Sequence, residues 1–206
     1  MADRFPLRAL CLLLCLLGWP LSAAAATPQR IISLTPHLTE LLYDIGAGDR
    51  IVATDDASDF PPEVAPLPRV ANYRSINLEA LLAQKPDLVV AWRSAQSRML
   101  APVEKLGIPV FYSEPTDFAS LADEMRSLGR LLGTRQKADQ QADAYLARLD
   151  ALKQRYGKPK PVSVFYQLWY PPLTSVNDST WPGPAIQLCG GRNIMADASA
   201  PYPQAG

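Results

Sequence analysis

Between residues 30 and 132, short apolar runs of strand length alternate with longer segments whose apolar residues recur every three or four positions, and nothing else in the chain constrains its fold as much. Residues 30–34 (RIISL) read as a buried strand. Thr35 then stands as a helix N-cap and Pro36 as the first helical residue, because Pro needs no amide partner there. Leu38, Leu41, Leu42 and Ile45 repeat at helical spacing until Gly46 ends the helix. Residues 51–53 predict a second strand, and the stretch 55–69, with SDFPP at 58–62, holds too much Pro to be regular. Asn77 caps a helix that buries Leu78, Leu81 and Leu82 and stops before Lys85-Pro86, since a residue ahead of Pro avoids the helical region. Residues 88–92 predict a strand, 97–106 a helix and 109–112 a strand; Asp117 then caps a helix burying Phe118, Leu121, Met125, Leu128 and Leu132. Such a succession predicts an α/β fold, a mostly parallel sheet covered by helices.

Residues 135–156 differ in character. Ala138, Ala142, Tyr145, Leu149, Leu152 and Tyr156 make one stripe along a helix ~33 Å long, enough to cross a whole lobe. After the break KPKP at 158–161, residues 162–167 predict a strand. An aromatic, Pro-rich loop follows with Trp169, Tyr170, Pro171, Pro172, Trp181 and Pro182, and residues 184–188 predict a short helix ending at Gly190-Gly191. Residues 161–206 thus supply little more than one βα unit, which cannot cover its own sheet edges and faces. The expectation is that this part leans on the first lobe or that the chain is a fragment of a longer protein.

Arg4 and Arg8 precede an apolar run at 9–18, and Ala24-Ala25-Ala26 puts small residues ahead of Thr27, the pattern of a cleaved secretory signal over residues 1–26. The run is shorter than the ~20 residues of a membrane span, so a soluble exported protein is expected. Cys11 and Cys15 leave with the signal, and Cys189 stays as an odd thiol in an oxidising compartment. With 20 basic side chains against 20 acidic ones, no general field attracts phosphate backbones, which argues against nucleic-acid binding. There is no phosphate-binding loop, no nucleophile elbow and no zinc-binding Cys pair, and the single His cannot build a His-rich metal site. An enzyme is not expected, nor a resident cofactor.

His37 falls at the second position of its helix, off the core stripe and at the carboxyl end of a strand, where α/β ligand sites form. The positive helix terminus disfavours imidazolium, leaving a neutral ring able to donate, accept or ligate a metal. Tyr73 lies in the loop before Asn77, Trp92 ends its strand, and Trp169-Tyr170 and Tyr202 lie at loop ends. Parallel strands gather such ends on one rim, so these rings predict a crevice for a large, mostly apolar ligand. Glu79, in the first turn of its helix, reads as a solvated residue or as an acidic knob for a basic partner.

Residues 30–42 (RIISLTPHLTELL), SDFPP at 58–62, NLE at 77–79, KPDLVVAWR at 85–93, PPLTS at 171–175 and CGGRNI at 189–194 together resemble the periplasmic cobalamin-binding proteins of ABC importers, within the iron-siderophore, haem and cobalamin binding-protein family. The resemblance covers residues 30–206. It implies two α/β lobes, 27–133 and a partial 158–206, joined by a long backbone helix at 134–157, with the ligand in the cleft between them. It implies a periplasmic, monomeric carrier that captures a corrinoid and delivers it to permease subunits at the inner membrane, cobalamin being cargo and not a cofactor. Implied ligand contacts are Pro36, His37, Tyr73 and Trp92 from the first lobe and Leu173 and Tyr202 from the second; Glu79 matches the first-lobe docking glutamate. The family's second lobe continues further, with a second docking glutamate and the Cys that pairs with Cys189. Ala57 stands where close relatives place a Tyr, and Tyr73 where a Trp is familiar. The alternative on the same fold is a haem or ferric-siderophore carrier, with Tyr73 and His37 as iron ligands; the alternative of another class is an exported protein-interaction module.

Overall fold

The computed structural model describes residues 26–157 and 160–205. The signal-like segment falls almost wholly outside them. Seven strands and six α-helices appear among the described residues: β1 (Ile31–Ser33), α1 (Pro36–Asp44), β2 (Ile51–Asp55), β3 (Arg69–Ala71), α2 (Leu78–Ala83), β4 (Leu88–Trp92), α3 (Arg93–Lys105), β5 (Val110–Ser113), α4 (Phe118–Leu131), α5 (Arg135–Tyr156), β6 (Val162–Val164), α6 (Pro182–Leu188) and β7 (Gly191–Asn193). The first five strands form one parallel sheet in the order β3-β2-β1-β4-β5.

Strand alternation splits the core into two layers. Ile31, Leu88 and Val90 face α1, α4 and α5, packing on Leu38, Leu42, Ile45, Met125, Leu128, Ala138 and Ala142. Ile32, Val89 and Ala91 face α2 and α3, packing on Leu81, Leu100 and Val103. Each of the Ile, Leu, Val and Met side chains contributes about 1.5–3 kcal/mol by leaving water, and a sheet covered on both faces reads as continuous apolar runs. Helix α5 is set by its crossing with α4: a Cβ on Gly129 would stand 2.2 Å from the Ala138 Cβ, so the two backbones meet where one carries no side chain. Only the first half of the α5 stripe is covered; Leu152 and Tyr156 are exposed.

Several expectations need correction. The helix expected from residue 97 begins at Arg93, directly after β4. Strand β3 forms inside what reads as irregular chain, because its amides complete the free edge of β2. Thr35 has N-cap geometry but its hydroxyl makes no cap bond. Asn77 and Asp117 do cap their helices, accepting from Ala80 N at 3.0 Å and Ser120 N at 2.7 Å. Lys85 takes a φ of +48°, a left-handed turn that stops α2 before Pro86.

In the second lobe β6 is shorter than the expected 162–167, and it pairs in parallel with β7 across α6, which starts at Pro182 rather than Pro184. A two-stranded sheet is weak by itself, and side-chain hydrogen bonds hold this one. Buried Asn193 donates to Val176 O at 2.9 Å and Asp178 Oδ1 at 3.1 Å, and Asn177 donates to Ala198 O at 2.9 Å. Val162, Phe165, Tyr166, Trp169 and Tyr170 remain exposed, and Cys189 is a free, exposed thiol.

Candidate functional site

The chain leaves β1 toward β2 on one side and returns to β4 on the other, so the connections at the carboxyl ends of β1 and β4 part in opposite directions and leave a crevice between them. Leu34 N donates to Val90 O at 3.0 Å, and a continued parallel ladder would next have Trp92 N donate to Leu34 O. Instead the amide of Gln96 stands between them: Trp92 N donates to Gln96 Oε1 at 2.9 Å, and Gln96 Nε2 donates to Leu34 O at 2.8 Å. Gln96 is only 5% exposed. One side chain thus caps α3, replaces a rung and holds the two strand ends apart.

His37 rises from the first turn of α1 at this mouth. Its ring meets Trp92 edge-on, with centroids 6.0 Å apart at 81°. Nε2 lies 3.4 Å from Ser113 Oγ at the end of β5; Ser113 donates to Glu124 Oε2 at 2.6 Å, and Glu124 Oε1 accepts from Glu114 N at 2.7 Å. Below the ring, Thr39 Oγ1 joins Ser33 Oγ at 2.8 Å and Ser58 Oγ at 2.9 Å, and Ser58 donates to Asp55, which fastens the SDFPP loop under α1. His37 is exposed as a residue and lines the cleft, while its ring is crowded by Trp92 and Ser113. That loss of water holds its pKa below the usual histidine value, outweighing the opposite pull of the Asp55 carboxylate.

The cleft encloses about 830 Å³. Pro36, His37 and Trp92 line one wall, Leu121, Met125 and Tyr145 another, and Trp181 enters from the second lobe, tilted against Phe118 at 5.6 Å. Three of the six expected contacts therefore meet. Tyr73, 80% exposed between β3 and α2, lies outside this lining, as do half-buried Leu173, whose carbonyl accepts from Ala205 N at 2.9 Å, and Tyr202, 60% exposed. Tyr145 and Trp181 were not anticipated: the first reads as one ring in a packing stripe, the second as one aromatic in a Pro-rich loop. Glu79 projects from the first turn of α2, exposed and in no ion pair among the described residues. Among those residues no three His, Cys, Asp or Glu side chains cluster to hold a bare metal ion, and no helix is long and apolar enough to cross a membrane.

A family model described as periplasmic binding protein matches residues 31–205. The chain belongs to that family. It is 38% identical over 196 residues to a protein of Vibrio campbellii named vitamin B12-binding protein, covering 95% of this chain and 71% of that one. The solved periplasmic vitamin B12 binding protein BtuF of Vibrio cholerae superposes with a TM-score of 0.78 at 38% identity, covering 87% of this chain and 71% of that one. The periplasmic haem-binding protein HutB of the same species shares the fold, with a TM-score of 0.77 at 24% identity over 86% of this chain and 70% of that one. The chain spans 64–71% of the length of the first curated relatives it matches. The family membership, the two-lobed α/β fold and the long helix between the lobes agree with what the sequence resembles.

Proposed function

We propose that this chain is an exported carrier that captures cobalamin in the interlobe cleft and delivers it to an inner-membrane ABC transporter, forming and breaking no covalent bond of the corrin. The observation that carries this reading is the aromatic mouth at the switch point: Trp92 and His37 on the first lobe face a cavity that Tyr145 and Trp181 help to close. Flat rings suit the broad faces of a corrin, which they cover by apolar contact. The 38% identity to a protein named for vitamin B12 binding supports the same cargo.

In this reading residues 1–26 are a cleaved signal, and 27–133 and 158–206 are lobe and partial lobe around a linking helix at 134–157. Pro36, His37 and Trp92 contact the ligand from the first lobe. Tyr73, Leu173 and Tyr202, outside the lining described above, are further contacts only as the resemblance implies them. The carrier acts as a monomer, and Glu79 docks on basic residues of the permease. Titration with cyanocobalamin tests the proposal, followed by tryptophan fluorescence in the parent and in Trp92→Ala. Saturable quenching that weakens in the variant supports it. No corrinoid binding, with hemin taken up and its Soret band shifted through Tyr73, would transfer the fold to a haem cargo.

A further inference from the structure

Ser113 has one hydroxyl proton, and Glu124 Oε2, 2.6 Å away, is a carboxylate oxygen that only accepts; the proton is spent there. What Ser113 Oγ presents to His37 Nε2 is a lone pair, so that nitrogen must carry the hydrogen. Glu124 is itself pinned by the backbone amide of Glu114, which ties the relay to the end of β5. Nδ1 is therefore the pyridine-type nitrogen, and it has no hydrogen-bond partner among the described residues. A histidine whose second nitrogen is hydrogen-bonded outward in this way is prepared as a metal ligand.

A single donor cannot hold a bare ion, and among the described residues His37 belongs to no group of three or more His, Cys, Asp or Glu side chains that could hold one. It suits a metal that arrives with its other positions filled. The geometry points to His37 Nδ1 as an upper axial ligand for the cobalt of the captured corrinoid, selecting forms whose upper position carries exchangeable water. This rests on the cobalamin reading above. The step is ligand exchange: the Co–OH2 bond breaks, the Nδ1 lone pair forms a Co–N bond, water leaves, and cobalt keeps its oxidation state. Cyanocobalamin, with that position held by cyanide, gains no such bond.

The test compares aquacobalamin with cyanocobalamin on the full chain. Aquacobalamin is expected to shift its visible absorption on binding, as imidazole ligation requires, and to bind about tenfold or more tightly than cyanocobalamin, equivalent to about 1.4 kcal/mol. In His37→Ala the shift disappears and the preference falls toward unity. Glu124→Gln supplies an amide able to donate to Ser113, which frees the serine proton for Nε2 and moves the imidazole hydrogen to Nδ1; it too is expected to lose the shift. Cyanocobalamin binding with an unshifted aquacobalamin spectrum, or a preference for aquacobalamin retained undiminished in His37→Ala, overturns the ligation while leaving the carrier reading intact. Failure of both corrinoids to bind overturns the two together.

Discussion

Replacing Gln96 by Ala removes the spliced rung between β1 and β4. Two hydrogen bonds vanish, at 2.9 and 2.8 Å. Trp92 N lies at the open rim, where water replaces the lost partner at a cost of about 0.5–1 kcal/mol. Leu34 is 1% exposed, so its orphaned carbonyl bears the larger penalty, about 1–3 kcal/mol. The expected loss is about 1.5–4 kcal/mol, a fall in Tm of roughly 3–16 °C for a chain of this size, read by thermal or urea unfolding against Ser97→Ala, which removes no recorded bond. Gln96→Glu sharpens the test. Ionised, it still accepts from Trp92 N but sets an oxygen against Leu34 O; protonated, it donates as Gln does. Burial raises the folded-state pKa above the unfolded value of ~4.3. The penalty is then full at pH well above the folded pKa and fades as pH falls toward the unfolded one. If Gln96→Ala is as stable as Ser97→Ala, the strands have zipped and the direct Trp92-to-Leu34 bond has formed, and the account of a side chain holding the crevice open is refuted.

Gly129→Val forces a side chain into the space of the Ala138 Cβ and is expected to cost about 1–3 kcal/mol by overpacking, seen as a lower urea midpoint. Pairing it with Ala138→Gly should recover part of the loss, because the two residues touch. Asn77→Ala removes the cap that accepts from Ala80 N and should cost about 1 kcal/mol in the same assay. Because burial lowers the folded-state pKa of His37, the unfolded chain binds a proton first as pH falls below about 6.5, so this group takes stability away on the acid side and is silent above that value. A Tm profile from pH 8 to 5 should fall less steeply for His37→Gln than for the parent; parallel profiles would contradict the assignment.

The parts of the fold legible in the sequence are those whose burial is continuous. β1 and β4 announce themselves because nearly all their residues are buried and apolar or small, and β2 and β5 through the apolar residues at 51–53 and 110–111. β3 and β7 do not: Arg69 is exposed, and Gly191-Arg192-Asn193 has no aliphatic residue. Their extended form is imposed by neighbours, β2 in one case and β6 in the other. The start of α3 was hidden for a related reason. Helix starts are read from Ser, Thr, Asp or Asn side chains, whereas here Trp92 occupies the cap position and the capping acceptor is a glutamine four residues on.

The same distinction explains the site. His37 was legible because a polar ring off an apolar stripe, one turn after a buried strand, has few other places to be. Trp92 followed from the end of KPDLVVAW. Tyr145 and Trp181 reach the cleft only through the crossing of α5 on α4 and the contact of Trp181 with Phe118, and neither arrangement has a local signature. The relay Ser113 to Glu124 lies between a strand end and the next helix, eleven residues apart, and its meaning appears only when His37, distant in sequence by 76 residues, is set beside it. A crevice at a switch point is thus foreseeable from the order of elements alone, while the chemistry it offers depends on which polar groups the strand ends bring within hydrogen-bond reach of one another. Here they set a hydroxyl that already donates to Glu124 beside His37, and that decides which ring nitrogen carries the hydrogen.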